Sequence, residues 1–124
     1  MNDIEIYLKD PDPAAVQDWL ERHFDRVQLS VSGNGKAHTG HAELKGRSVP
    51  VKLFLKAVGQ YASLLFDGPD TPWDDDLSCA RDAHSSLGVE VRCAADAWHE
   101  GEDMHDELWW SLSEKGERQI QWPQ

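Results

Sequence analysis

Two groups of residues in this 124-residue chain have types and spacing that suggest chemistry. The first is His99-Glu100-Gly101-Glu102-Asp103 with His105 close behind, a mixture of imidazole and carboxylate donors suited to a transition metal. A zinc-protease helix needs His-Glu-x-x-His, so that two imidazoles share one face with the Glu as base, and the second His is missing. No structural zinc spacing stands in for it. The second group is Asp67, Asp70 and Asp74-Asp75-Asp76, an oxygen-rich set of the kind that holds Mg²⁺ or Ca²⁺. Its spacing is not that of an EF-hand loop. Acids at the start of a helix are favoured by the macrodipole at about 0.3–1 kcal/mol each, which accounts for them without a cation. His38 and His41 stand three apart on an expected strand, where side chains point to opposite faces and cannot share one ion.

Nucleophilic catalysis is no better supported. The chain has no Gly-x-Ser-x-Gly elbow, and Cys79 falls inside an expected helix rather than at its positive end. Gly33-Asn34-Gly35-Lys36 reads as a hairpin turn, not as a phosphate loop. The expectation is a non-enzyme without metal or cofactor, and a metal-dependent enzyme ranks third among the readings.

The elements that must position any site are easier to read. Asp12-Pro13 opens a helix, with Asp as N-cap and Pro where its missing N–H costs nothing. Val16, Trp19, Leu20, Phe24 (or His23) and Val27 recur at helical spacing as its buried stripe. A second helix is expected from Pro72, with Thr71 as cap, Asp74 closing a capping box, and a stripe of Trp73, Leu77, Ala80, His84 and Leu87. Gly88 ends it. Alternating segments give strands at 4–8, 27–33, 36–45, 49–57, 61–66, 88–94, 107–113 and 117–122. Leu108, Trp110 and Leu112 are expected to share a face with Ile120 and Trp122.

The fold class is therefore α+β: one domain of tandem βαβββ units, about 3–57 and 61–122, with two helices on one face of a mainly antiparallel sheet. This element order resembles one domain of the DNA sliding clamps, which are also tandem βαβββ units. The resemblance implies a clamp-like topology. Charge separates the chain from clamp function, because Asp74, Asp75, Asp76 and Asp82 are expected on the outer face of the second helix against Arg81 alone.

Charge divides the chain unevenly. Residues 1–66 balance eight acids with eight bases, whereas residues 67–124 carry fifteen acids and four bases, so the formal charge of −11 lies in the second half. Asp3 and Glu5 follow Met1 at once, and no run of about 18 apolar residues is available to cross a membrane. A cytoplasmic protein with Cys79 and Cys93 reduced is expected.

The function expected from these features is a non-catalytic interaction module for a basic protein partner, in the manner of an immunity-type inhibitor or a regulatory subunit. The chain is expected as a monomer or homodimer, with no membrane. Its first candidate site is the acidic loop at 95–106 with Trp98, His99, Glu102, Asp103 and His105, joined by Trp109 on the next strand. An alternative site is the sheet face opposite the helices, where Tyr7, Lys9, Lys52, Phe54 and Lys56 fall. Aromatics among lysines there would suit single-stranded nucleic acid, the runner-up, which the net charge disfavours.

Overall fold

The computed structural model describes residues 3–94 and 108–122. Chain order is β1 (Ile4–Lys9), α1 (Pro13–His23), β2 (Arg26–Val31), β3 (Ala37–Leu44), β4 (Arg47–Val58), β5 (Tyr61–Phe66), α2 (Asp76–Leu87), β6 (Val91–Ala94), β7 (Leu108–Ser113) and β8 (Gly116–Gln121). The α+β class expected from the sequence is what forms. All eight strands join one antiparallel sheet in the order β2-β3-β4-β5-β1-β6-β7-β8, and both helices lie on one face of it.

Helix α1 begins as its sequence requires. The Asp12 carboxylate accepts from the Ala14 N–H at 3.0 Å and Pro13 opens the first turn. Its stripe of Val16, Trp19 and Leu20 is fully buried against Ile4, Ile6, Leu8, Leu64 and Phe66 of the central strands. Burying side chains of this size is worth about 1.5–3 kcal/mol each, so this layer is the main source of stability.

Helix α2 departs from expectation. It begins at Asp76, with the extended Asp75 as N-cap accepting from the Ser78 N–H at 2.8 Å, and the Thr71–Asp74 capping box does not form. The reason is Trp73, whose ring stacks on Trp19 at 5.2 Å and packs against Phe66 at 5.3 Å. A chain already helical at Pro72 would have carried Trp73 along the helix stripe; an irregular approach lets the indole lie between α1 and the sheet. The buried residues of α2 are consequently the small Cys79, Ala80 and Ala83. Gly88 terminates the helix in the left-handed conformation, at φ 71°, as expected.

The order βαβββ occurs twice, but the strand order does not repeat with it. β4 lies inside the sheet beside β5, whereas its counterpart β8 is an edge; β2 is an edge, whereas its counterpart β6 is internal. Exchanging the halves does not map the sheet onto itself, so the repeat is one of element order only. β5 of the second half pairs on both sides with strands of the first, β4 and β1, and β1 meets β6 at a short seam, Tyr7↔Arg92 and Leu8↔Val91, extended by the Lys9 N–H donating to the Glu90 carbonyl at 3.0 Å.

Register corrects one further expectation. Trp109 pairs with Ile120 and Trp110 with Gln119, so Ile120 and Trp122 share the face of Trp109 rather than that of Trp110 and Leu112. Successive strand residues point to opposite faces, so a one-residue difference in pairing transfers every side chain of β8. No helix among the described residues is long and apolar enough to cross a membrane.

Candidate binding face of the open sheet

The face opposite the helices gathers aromatic side chains from both sides of the seam. Tyr7 of β1 meets Trp109 of β7 edge-on at 5.5 Å and Trp122, just beyond β8, at 5.2 Å. Trp122 also meets Tyr61 of β5 at 5.1 Å and Trp109 at 4.9 Å. Edge-to-face pairs of this kind contribute about 0.5–1.5 kcal/mol beyond the area they bury. Arg92 of β6 lies over two of these rings, its guanidinium carbon 4.5 Å from the centroid of Tyr61 and 5.0 Å from that of Trp122. The strand pairing makes this arrangement possible: Phe54, Ser63, Tyr7, Arg92, Ser111 and Arg118 form one cross-sheet row, and their side chains share the face opposite the helices, with Ser63 and Ser111 buried among their neighbours.

Two carboxylates sit within the cluster. Glu90 accepts from the Ser111 hydroxyl at 2.6 Å and from Arg92 Nε at 3.0 Å. Burial alone would raise its carboxyl, but the Ser111 hydroxyl, the Arg92 guanidinium and the Tyr61 hydroxyl hold it below the ordinary range. Glu5 accepts from Ser63 at 3.0 Å and from Tyr7 at 3.3 Å. Burial, and then the charge of Glu5, raise the Tyr7 hydroxyl; burial raises the Tyr61 hydroxyl against the opposing charge of Arg92, with Glu90 adding to the rise, so both phenols stay neutral. Beside Arg92, a depression of about 500 Å³ is lined by Arg92, Ile120, Gln121 and Trp122.

The residues expected at this face are distributed over it unequally. Tyr7 and Trp109 belong to the aromatic cluster. Phe54 lies farther along the same row, 40% exposed, with Lys52 two residues away on the same strand face. Lys9 pairs with Tyr61 in register. Lys56 sits at the irregularity between Phe54 and Val58, with a left-handed backbone (φ 54°), and its ammonium is 3.9 Å from Asp10. Trp98, His99, Glu102, Asp103 and His105 lie outside the described residues, as does the whole loop at 95–106. Tyr61, Arg92, Glu90, Glu5 and Trp122 were not expected in a site.

A second polar cluster holds the helices together on the other face. Asp82 Oδ1 accepts from Trp19 Nε1 at 3.1 Å, and Oδ2 accepts from Trp73 Nε1 at 3.0 Å. His23 Nε2 lies 3.1 Å from Oδ2 and the Ser86 hydroxyl 3.3 Å from Oδ1. Burial opposes ionisation of Asp82, and these donors outweigh it, so its carboxyl lies below the ordinary range. The acidic outer face expected on α2 is therefore not one surface. Asp82 points inward between the helices, Asp75 caps, and Asp76 is half-buried by β1. Burial pushes the Asp76 carboxyl up to about 6, despite a hydrogen bond from the Glu5 backbone N–H, and the charges of Glu5, Asp75 and Asp3 add to the rise. Arg81 makes a two-pronged pair with Glu117 at 2.9 and 3.0 Å.

His38 and His41 occupy opposite faces, paired with Leu53 and Pro50 respectively. Cys79 and Cys93 are buried free thiols, and burial raises both, Cys93 to about 12. Among the described residues, no group of three or more His, Cys, Asp or Glu is placed to hold a metal ion.

Comparison of the chain with protein-family models, with curated proteins and with solved structures finds no match.

Proposed function

We propose that this chain is a non-catalytic binding module that docks a basic protein partner on its open sheet face. The observation that carries the reading is the set of Tyr7, Tyr61, Trp109, Trp122 and Arg92 on a sheet face that neither helix covers. Tyr, Trp and Arg dominate the energetic centres of protein interfaces, because they bring large contact area at low conformational cost. The formal charge of −11 favours a basic partner over a second copy of the chain, since two copies repel at long range while a cationic protein is steered inward. An inhibitor that covers a basic toxin, or a regulatory subunit, fits this description.

Nucleic acid fits less well. The formal charge of −11 repels the phosphates that supply most nucleic-acid affinity. The Lys56 ammonium on this face also has the Asp10 carboxylate 3.9 Å away, in an exposed pair.

Affinity capture with the wild-type chain and with Phe54→Glu tests the reading. The expected result is a basic protein retained at low salt, weakened at about 0.5 M salt, and lost from the variant. Equal retention by Phe54→Glu would remove the sheet face from the account. Binding of short single-stranded DNA or RNA at about 50 mM salt would favour the nucleic-acid reading instead.

A further inference from the structure

Arg92 is held as a bound ligand would be. Its guanidinium has the Tyr61 ring on one side, the Trp122 ring close by, and the Glu90 carboxylate against Nε at 3.0 Å. Glu90 is itself fixed by Ser111 at 2.6 Å. Two aromatic walls and an oriented carboxylate are the parts from which proteins build sites for planar or alkylated cations. Among the described residues, a depression of about 500 Å³ lies beside Arg92 and Trp122, a volume larger than an arginine side chain.

We infer that Tyr61, Trp122 and Glu90 form a guanidinium site that Arg92 fills from within the chain, and for which an arginine of the partner competes. The inference rests on the reading of this face as a docking surface for a basic protein, and it names the partner's side chain as arginine rather than lysine. A planar guanidinium can stack on the rings and still donate in plane to Glu90, whereas an ammonium cannot do both equally well. Arg92, attached two residues from Glu90, enjoys a high effective concentration. A free competitor must therefore be weak against wild type and stronger once Arg92 is gone.

The test uses N-methylguanidinium, an octa-arginine peptide and an octa-lysine peptide, with Arg92→Ala, the bulkier Arg92→Met, and Arg92→Ala with Glu90→Gln. Binding is read from the Trp122 and Tyr61 side-chain resonances, and thermal unfolding of each variant verifies the fold. Both Arg92 variants are expected to bind N-methylguanidinium saturably and to prefer octa-arginine over octa-lysine. Affinity should be at least about tenfold above wild type, and Glu90→Gln should remove about tenfold of it, the worth of a charge-assisted hydrogen bond. Equal binding of the two peptides by folded Arg92 variants, or no response at Tyr61 and Trp122, would overturn the inference. N-methylguanidinium binding without any preference for an arginine-bearing protein in capture would keep the cation site and sink the docking reading, so the two failures are distinguishable.

Discussion

Trp19 and Asp82 are 63 residues apart in sequence and joined by a 3.1 Å hydrogen bond from indole to carboxylate. Trp73 donates to the other oxygen of the same carboxylate at 3.0 Å, so one acid on α2 satisfies two tryptophans that pack beneath α1. Replacing Asp82 by Ala leaves a fully buried Trp19 N–H and a nearly buried Trp73 N–H without their acceptor. Each orphaned donor costs about 1–3 kcal/mol. Urea unfolding of Asp82→Ala should show a loss of about 3 kcal/mol, and Asp82→Asn, which keeps one acceptor oxygen, should lose less.

Asp76 has the opposite sign. Its native carboxyl titrates at about 6, above its unfolded value of 3.8. The native state therefore binds the proton more tightly, and that stability is present below the unfolded value and lost as pH rises through the native one. Asp76→Asn removes the cost of the buried charge. The variant should unfold at a higher temperature than wild type near pH 7.5, with the advantage shrinking to nothing by about pH 3.5. A pH-independent difference would refute this assignment.

Gly40 supports the edge strand β2. A Cβ added there would lie 1.8 Å from the Gln28 carbonyl oxygen, and backbone cannot yield as a flexible side chain can. Gly40→Ala should loosen the β2–β3 pairing, with faster amide exchange across 26–31 and little change around α2.

Cys79 and Cys93 should resist Ellman's reagent in the native protein, because both thiols are buried and raised well above the pH of the assay. Both should react on unfolding. Rapid native reaction of either would place it at the surface.

The fold was legible where one signal stood alone. Asp12-Pro13 and the Val16, Trp19, Leu20 stripe define α1 without competition, and clean alternation defines β1 and most of β4. The start of α2 was misread because Thr71-Pro72 and Asp74 satisfy local capping rules, while the packing of Trp73 on Trp19 is a tertiary demand invisible to them. The aromatic face of the sheet was half legible. Tyr7 and Trp109 fall out of phase with buried neighbours, but 61–66 is apolar at nearly every position, so alternation cannot tell which face Tyr61 takes. Trp122 was assigned to the wrong face by a one-residue register error across a short hairpin. Arg92 and Glu90 carry no sequence signal, since their meaning arises from strands paired across the sheet.

The most direct measurement of the central claim is site-specific photo-crosslinking, with the reactive residue placed in turn at Phe54 and Ile120 on the open sheet face and at Asp18 and Glu21 on the exposed side of α1. The account predicts one discrete adduct with a basic protein from Phe54 and Ile120, none from Asp18 or Glu21, and loss of the adduct when Trp109 is changed to Ala in a chain that still unfolds cooperatively. Adducts from the α1 positions alone, adducts with a second copy of the chain, or no adduct from the open face would contradict it.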